Sequence, residues 1–197
     1  MLELRPTCEL CEVALDPQSD QARMCTYECT FCIRCATWEL LGICPNCKGE
    51  LVVRPRRPSE KLGKDPASSA VTHKRHDVDA HRAEVRRRLD EGDLPEQVWT
   101  VAFCNRRPAE GASDGYGTTA EQMDALAAAQ PGYLGVDSVR GDAGAGITVS
   151  RWSSIAAMVS WRRNVAHLEA QQTGVDRWYD WYRSDVARVD RTSEFRR

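Results

Sequence analysis

Long apolar runs are missing from this chain of 197 residues. No stretch approaches the ~18 consecutive apolar residues of a membrane-spanning helix, so we expect no membrane insertion. The N-terminal segment MLELRPTCEL also lacks the basic region and apolar core of a secretory signal. Both absences predict a cytoplasmic protein, and in that compartment paired cysteines bind metal more often than they bond to each other.

A strong excess of either charge is also missing, because 27 Lys and Arg residues are balanced by 29 Asp and Glu residues. A protein that binds duplex nucleic acid needs a basic surface. In the N-terminal segment only Arg54, Arg56 and Arg57 cluster, and arginines beside prolines are typical of a solvated linker. We therefore expect no nucleic-acid partner.

Cysteine, in contrast, is concentrated near the N-terminus. Eight of the nine cysteines form four pairs within forty residues: Cys8 and Cys11, Cys25 and Cys29, Cys32 and Cys35, Cys44 and Cys47. Eight thiolates suit two tetrahedral Zn²⁺ sites, and a short Cys-x-x-Cys turn presents two sulfurs to one ion. Since no position stays open for water, both zinc ions are predicted to be structural. A disulfide framework and a redox pair are the alternatives. The predicted cytoplasmic location argues against the first, and four consecutive pairs argue against the second.

The order of the pairs resembles the RING and treble-clef group of zinc folds, as does Pro45 in the last pair. In that group alternate pairs share an ion. The resemblance implies one zinc on Cys8, Cys11, Cys32 and Cys35, and the other on Cys25, Cys29, Cys44 and Cys47. The histidine usual in the RING pattern is missing, so ubiquitin-ligase activity is not implied. About residues 1–70 also resemble a family of short bacterial eight-cysteine proteins of unknown function, which implies a fold but no activity.

Composition predicts three parts along the chain. Residues 1–55 form the zinc-binding module, for which we expect a protein partner. Residues 56–96 are a linker with a short charged helix, and its histidines, His73, His76 and His81, are expected to be solvated. Residues 97–195 carry a different pattern. Strands are predicted near 98–103, 133–139, 147–152 and 186–189, a helix over 114–127 and a long helix from Ser153, with a turn at 141–146 and an aromatic helical turn over 178–182. This β-α-β-β-α-β order predicts an α+β, ferredoxin-like unit.

The third part resembles the antibiotic biosynthesis monooxygenase family, which includes haem-degrading monooxygenases. The resemblance lies in the stretches QPGYLG (130–135) and GITVSRW (146–152), and around Trp161 and His167. It implies a dimeric α+β barrel with one pocket per subunit, and hence a homodimer through 97–195. Members of the family often activate a substrate toward O₂ without metal or flavin. A flat aromatic or porphyrin-type substrate follows from the resemblance, with haem as a candidate ligand.

The same resemblance implies the candidate catalytic residues. In the haem-degrading branch an asparagine after the first strand, a tryptophan and a histidine line the pocket, and Asn105, Trp161 and His167 stand in or near those places. The alternative for His167 is a purely structural role as a helix residue that is hydrogen-bonded locally. The alternative for Asn105 is a turn residue without a role in the pocket. The remaining cysteine, Cys104, is expected to be a buried thiol at a strand end. A non-catalytic protein, whose barrel only dimerises or binds a ligand, is the rival hypothesis.

Overall fold

The computed structural model describes residues 1–94, 97–108, 114–141 and 143–195, and the chain divides into two units, Met1–Leu94 and Pro95–Arg197. Residues 95–96 of the predicted linker and Asp142 of the predicted turn lie outside the described residues. The first unit consists of β1 (Ala22–Met24), β2 (Thr30–Cys32), a π-helical turn (Cys35–Glu39), β3 (Val52–Val53), a 3-10 turn (Ser59–Lys61) and α1 (Val78–Asp90). Its small antiparallel sheet has the order β2-β1-β3.

Six of the twelve buried residues in the core cluster of this unit are cysteines. Leu15, Phe31, Leu40 and Leu51 are the bulky apolar members of the cluster. A core this small rarely supplies more than ~3–5 kcal/mol of stability alone. The fold therefore needs a further stabilising interaction of the kind that metal binding provides.

Helix α1 packs on the cysteine-rich part. Asp77 caps its N-terminus by accepting a hydrogen bond from Ala80 N at 2.9 Å. Val85 is 1% exposed, and the Nε2–H of His81 donates to the main-chain oxygens of Leu40 and Ile43, both at 3.1 Å. The expectation of solvated linker histidines is therefore wrong for His81, which is buried because it satisfies two carbonyl groups of the module.

Two of the three arginines after β3 also differ from their expected solvated state, whereas Arg56 is exposed. Arg54 is 1% exposed and donates to the main-chain oxygens of Arg5 at 2.8 Å and Asp16 at 2.7 Å. Arg57 donates to Leu2 O at 2.7 Å. These guanidinium groups satisfy buried or terminal carbonyls of the first unit.

The second unit confirms the ferredoxin-like prediction: its elements follow one another as β-α-β-β-α-β, with the second helix in two pieces. The elements are β4 (Trp99–Arg106), α2 (Tyr116–Ala128), β5 (Tyr133–Arg140), β6 (Ala145–Trp152), α3 (Ile155–Arg162), α4 (Val165–Thr173), a π-helical turn (Gly174–Trp178) and β7 (Trp181–Arg188). The antiparallel sheet has the order β5-β6-β4-β7.

Two elements differ from the sequence prediction. The long helix from Ser153 is broken, because the Asn164 side chain accepts hydrogen bonds from Ala166 N and His167 N and so begins a new helix, α4. The predicted aromatic helical turn is wrong beyond Trp178. Trp181 begins β7 opposite Arg106, since aromatic residues pair well along a strand.

The two faces of the sheet have different surroundings. Residues paired across antiparallel strands lie on one face, and neighbours along a strand alternate between faces. Trp152 stacks on Trp161 of α3 with ring centroids 6.1 Å apart, and Arg140 reaches the Tyr116 hydroxyl of α2 at 2.7 Å, so the helices cover this face. The register pair Val139 and Ile147 lies on the opposite face, where they are 68% and 47% exposed.

Candidate functional site

The first cysteine cluster brings together the four thiols of Cys8, Cys11, Cys32 and Cys35. Their sulfur atoms all lie within 4.8 Å of one another. Cys11 is exposed and the other three are buried. This is the set of ligands that the RING-type resemblance implies for one ion, and four sulfurs at this separation can surround one tetrahedral cation.

The second cluster contains Cys25, Cys44 and Cys47, whose sulfur atoms also lie within 4.8 Å of one another. Cys29, the fourth ligand implied by the resemblance, is buried next to this group but does not belong to it at that distance. The main chain holds Cys29 close, because Cys25 N donates to Cys29 O at 3.2 Å. Cys25, Cys44 and Cys47 can therefore hold an ion, with Cys29 the neighbouring thiol available as a fourth ligand.

One turn of each cluster has the same backbone geometry. Glu12 N donates to Cys8 O at 2.9 Å, and Lys48 N donates to Cys44 O at 3.0 Å. Glu12 and Lys48, which follow the second cysteine of each turn, both have positive φ angles near 60°. This left-handed conformation is unfavourable for residues other than glycine. The turns thus hold two thiols on one side at some cost in backbone strain.

The close thiols of the first cluster cannot all ionise without a cation. Hydrogen bonds from Cys32 and Cys35 hold the pKa of Cys8 far below its ordinary value. The hydrogen bond with Cys32, and then that with Cys8, raises the pKa of Cys35 far above its own. One thiolate thus forms at the expense of its neighbours, whereas a bound divalent cation would stabilise all four in ionised form.

A buried carboxylate lies beside the first cluster. Glu9 is fully buried and accepts hydrogen bonds from Thr30 N at 2.7 Å and from the Arg5 side chain. Asn46, within the last cysteine pair, donates to its other oxygen at 3.4 Å. Glu9 therefore connects the first turn, strand β2 and the last turn, which keeps the two clusters in a fixed relation.

In the second unit, Asn105 is a buried polar residue within the sheet. It lies within β4, not after it as predicted, and is 2% exposed. Its Oδ1 accepts a hydrogen bond from Arg140 at 3.3 Å, whereas its Nδ2 has no partner among the described residues. A buried amide without a partner is costly unless a ligand uses it.

Aromatic rings surround this end of the helix-covered face. Tyr179 contacts Phe103 edge-on with ring centroids 5.4 Å apart, and Tyr182 of β7 lies 5.5 Å from the same ring. Tyr116 packs against Trp178 at 5.5 Å. Burial raises the pKa of Tyr179 well above its ordinary value, so its hydroxyl stays protonated. Asn105 thus belongs to a surface of aromatic rings that carries few polar groups. Ligand sites usually have this composition.

The middle of the same face carries hydroxyl groups. The Ser138 and Thr148 hydroxyls lie 2.9 Å apart, and Ser150 accepts a hydrogen bond from Trp152 Nε1 at 3.1 Å. Ser138 is exposed, and Thr148 and Ser150 are half-buried, although they lie on the face that the helices cover. A tightly packed core would place apolar side chains here. The middle of this face is therefore polar and does not form a closed apolar core.

Trp161 and His167 lie together at the other end of this face. Their rings stack with centroids 4.2 Å apart and planes 14° apart. The Nδ1–H of His167 donates to the main-chain oxygen of Trp161 at 3.0 Å, and Gln171 Nε2 lies 3.2 Å from His167 Nε2, to which it donates. Burial lowers the pKa of His167 below its ordinary value, so the ring is neutral near pH 7. Both ring nitrogens are engaged within the protein.

The predicted catalytic residues therefore do not meet at one point. Trp161 stacks on Trp152, which pairs with Trp99 at the start of β4. Asn105 lies six residues further along the same strand. At about 3.3 Å per residue the two ends are roughly 20 Å apart. Cys104 is half-buried and lies inside the strand, so the expected buried strand-end thiol is not observed. Sequence reasoning missed Arg140, whose position next to Asn105 depends on register across three strands.

Two family models match the chain. Residues 1–57 match the family described as "Protein of unknown function (DUF1272)", and residues 101–173 match the antibiotic biosynthesis monooxygenase family. Uncharacterized protein R02474 of Rhizobium meliloti is 59% identical over 70 residues, which span 36% of this chain and 83% of that protein. Uncharacterized protein YqjZ of Bacillus subtilis is 52% identical over 81 residues, 41% of this chain and 71% of that protein.

The chain belongs to both families. The resemblances to short eight-cysteine proteins and to antibiotic biosynthesis monooxygenases are thus confirmed, the DUF1272 segment lying in the first unit and the monooxygenase segment in the second. No helix in the described part of the chain is long and apolar enough to cross a membrane.

Solved structures similar to this chain include SnoaB, a cofactor-independent oxygenase from Streptomyces nogalater. It is 14% identical, with a TM-score of 0.41, over 49% of this chain and 96% of its own. Rv0793 from Mycobacterium tuberculosis is 20% identical, with a TM-score of 0.41, over 49% of this chain and 99% of its own. SO0527 from Shewanella oneidensis is 9% identical, with a TM-score of 0.43, over 48% of this chain and 92% of its own.

Proposed function

We propose that the chain is an O₂-dependent monooxygenase-like protein fused to a structural zinc module. The second unit binds a flat aromatic or porphyrin-type molecule between its sheet and its helices, and the first unit binds two Zn²⁺ ions. The observation that carries the proposal is Asn105, a buried amide whose Nδ2 has no partner among the described residues and which lies among aromatic rings. Membership of the monooxygenase family adds independent support.

Asn105 supplies the electrostatic part of the proposed chemistry. Its two Nδ2 protons donate to an oxygen of the substrate, and this interaction strengthens as negative charge develops on that oxygen. A phenolic substrate that loses its proton to solvent becomes an electron donor for O₂. One oxygen atom then enters the oxidised ring and the other leaves as water. The Phe103 and Tyr182 rings offer apolar contact to the ring system.

The zinc sites fit the residues present. Cys8, Cys11, Cys32 and Cys35 form a complete four-sulfur set, and Cys25, Cys44 and Cys47 with Cys29 form the second. Closed sulfur sites stabilise a fold and do not activate water. We assign the module an interaction role with a protein partner, since it offers no open metal position.

Haem fits the second unit as a ligand or substrate less directly. A haem iron at His167 would have to displace Gln171 from Nε2, because Nδ1 is already bonded to the Trp161 carbonyl. His167 therefore acts in this proposal by holding Trp161 and the start of α4 in place. Trp161 and Met158 of α3 form the apolar end of the proposed pocket, and Met158 is buried.

The assembly proposed is a cytoplasmic homodimer through 97–195. Members of the monooxygenase family are typically dimeric. The sheet face opposite the helices carries the exposed Val139 and Ile147, and an open sheet buries such a face on a partner.

A non-catalytic ligand-binding or dimerising protein is the second candidate. The engaged nitrogens of His167 favour it, because they leave no histidine in the described part of the second unit free to act as a base. The two functions differ in whether oxygen is consumed.

Oxygen uptake by the full chain with anthrone, an enolisable polycyclic probe, tests the proposal. Metal content and visible absorption with and without haemin are recorded on the same aerobic preparation. We expect uptake above the uncatalysed rate and a reduction of about 10²–10³-fold in Asn105→Ala, the loss typical of one oxyanion donor. Binding of anthrone or haemin without oxygen uptake would support the non-catalytic alternative.

A further inference from the structure

Arg140 connects Asn105 to helix α2. Its Nη1 donates to Asn105 Oδ1 at 3.3 Å and to Gly144 O at 3.1 Å. Its Nη2 donates to the Tyr116 hydroxyl at 2.7 Å, and the guanidinium carbon lies 5.0 Å from the centre of the Tyr116 ring. The guanidinium group is thus held from several sides, and Asn105 is one of its partners.

The hydrogen-bonding chemistry of arginine decides the orientation of the amide. A guanidinium group has donors only, whereas an asparagine amide has one oxygen acceptor and one nitrogen donor. The Asn105 oxygen must therefore face Arg140. Its Nδ2 is then turned away from Arg140, toward the place where no described residue accepts a hydrogen bond from it. Without Arg140 either orientation of the amide would be available.

Gly146 makes this contact sterically feasible. It pairs with Asn105 on β4 and with Arg140 on β5, so the Arg140 side chain crosses Gly146 to reach Asn105. A Cβ atom at this position would lie 2.9 Å from the guanidinium carbon and from both of its terminal nitrogens. A methyl group there would displace the guanidinium from Asn105.

We infer that Arg140 is a positioning residue that fixes Asn105 as a hydrogen-bond donor, so that the ligand atom meeting Asn105 is an acceptor oxygen of the carbonyl or phenolate type. The ligand part of this inference rests on the proposed function. The orientation of the amide does not, because it follows from contacts within the chain.

The orientation is tested on the free protein by ¹H–¹⁵N NMR of the full chain. The Asn105 side-chain amide signals are identified by their loss in Asn105→Asp. We expect them to move in Arg140→Met and in Gly146→Ala, and to keep their position in Arg177→Met, which changes an exposed arginine of the same unit. Backbone signals that stay dispersed show that each variant folds. Asn105 amide signals unchanged in both Arg140→Met and Gly146→Ala would overturn the inference.

The ligand class is tested with two soluble probes of similar shape, anthraquinone-2-sulfonate and anthracene-2-sulfonate. Only the first has carbonyl oxygens. We expect wild type to bind it about 2- to 10-fold more tightly, the value of one hydrogen bond, and Asn105→Asp and Arg140→Met to lose this preference. Equal binding of both probes by wild type would refute the inference that Asn105 meets an acceptor oxygen of the ligand. Binding of neither probe, with the NMR result intact, would contradict the proposed pocket but leave the role of Arg140 standing.

Discussion

The Nε2–H of His81 donates to the main-chain oxygen of Ile43 at 3.1 Å, immediately before the ligand candidate Cys44. The same hydrogen also meets Leu40 O at 3.1 Å. Helix α1 is thus bonded to the segment that leads into the last cysteine pair. The DUF1272 segment ends at residue 57, yet this contact makes residues 78–90 part of the same folded unit.

Replacing His81 by phenylalanine should destabilise the cysteine module. The ring still fills the buried position, but the carbonyls of Leu40 and Ile43 lose their donor. We expect a loss of about 1–3 kcal/mol in the free energy of unfolding, seen as faster metal release to a chromogenic chelator in urea. His73→Phe is the matched control, because His73 is exposed, and should change stability by less than about 0.5 kcal/mol. Equal release rates in the two variants would argue against a role for the His81 contact.

Metal content is the second prediction: two Zn²⁺ ions per chain, held by the eight N-terminal cysteines. Cys25→Ser should unfold the module, because the binding energy of a structural site is folding energy. The second unit should remain folded, since it forms a compact unit of its own. Elemental analysis and circular dichroism measure both effects. Less than one zinc ion per chain in freshly purified protein would contradict this prediction.

The cysteine clusters were predictable because their geometry is local. Each Cys-x-x-Cys turn brings its two sulfurs together whatever the rest of the chain does, and the family pattern then implied which turns share an ion. Strands β4, β5 and β6 were predictable for a similar reason, since alternation and turn residues are local signals. The first half of β7 was mistaken for a helical turn because its aromatic residues do not show a clear period.

Contacts were not predictable where they depend on the register between strands, or where a capping side chain competes with the apolar period of a helix. Arg140 and Asn105 are 35 residues apart and meet only because β5, β6 and β4 pair in one register. The break between α3 and α4 was missed because the apolar period continues through it, while the capping side chain of Asn164 overrides that period. His81 gave no apolar signal, because its partners are two main-chain oxygens.

Dimerisation is the third prediction. Val139 and Ile147 face each other across β5 and β6 on the sheet face opposite the helices, and both are exposed in the single chain. Ile147→Lys should place a charge in the proposed interface and shift the protein to monomer at micromolar concentration, measured by light scattering. Val175→Lys is the control, because Val175 is 53% exposed in the turn after α4 and should leave the dimer intact. A monomeric wild type would contradict the assembly.

The last prediction concerns the pH dependence of the second unit through His167. Burial, and to a smaller degree the charge of Arg162, lowers the pKa of His167 below 6.5 in the folded protein. The unfolded chain therefore binds a proton more readily than the folded chain between the folded pKa and 6.5. The contribution of neutral, buried His167 to the free energy of unfolding is therefore complete above pH 6.5, and it is lost as the pH falls from 6.5 through the folded pKa. Urea unfolding of the second unit should show this slope, followed by tryptophan fluorescence, since five of the six tryptophans lie there.

His167→Gln separates this structural role from metal ligation or base catalysis. Glutamine does not titrate, so the slope below pH 6.5 should become shallower. Stability at about pH 7.5 should fall by about 1–2 kcal/mol, because the stack on Trp161 is lost and its carbonyl is bonded less well. Haemin affinity and the Soret band should stay the same, because Gln171 and the Trp161 carbonyl already engage both ring nitrogens. A Soret shift present in wild type and absent in His167→Gln would instead identify His167 as an iron ligand. A fall in anthrone turnover of about 10²–10⁴-fold without loss of stability would identify it as a base.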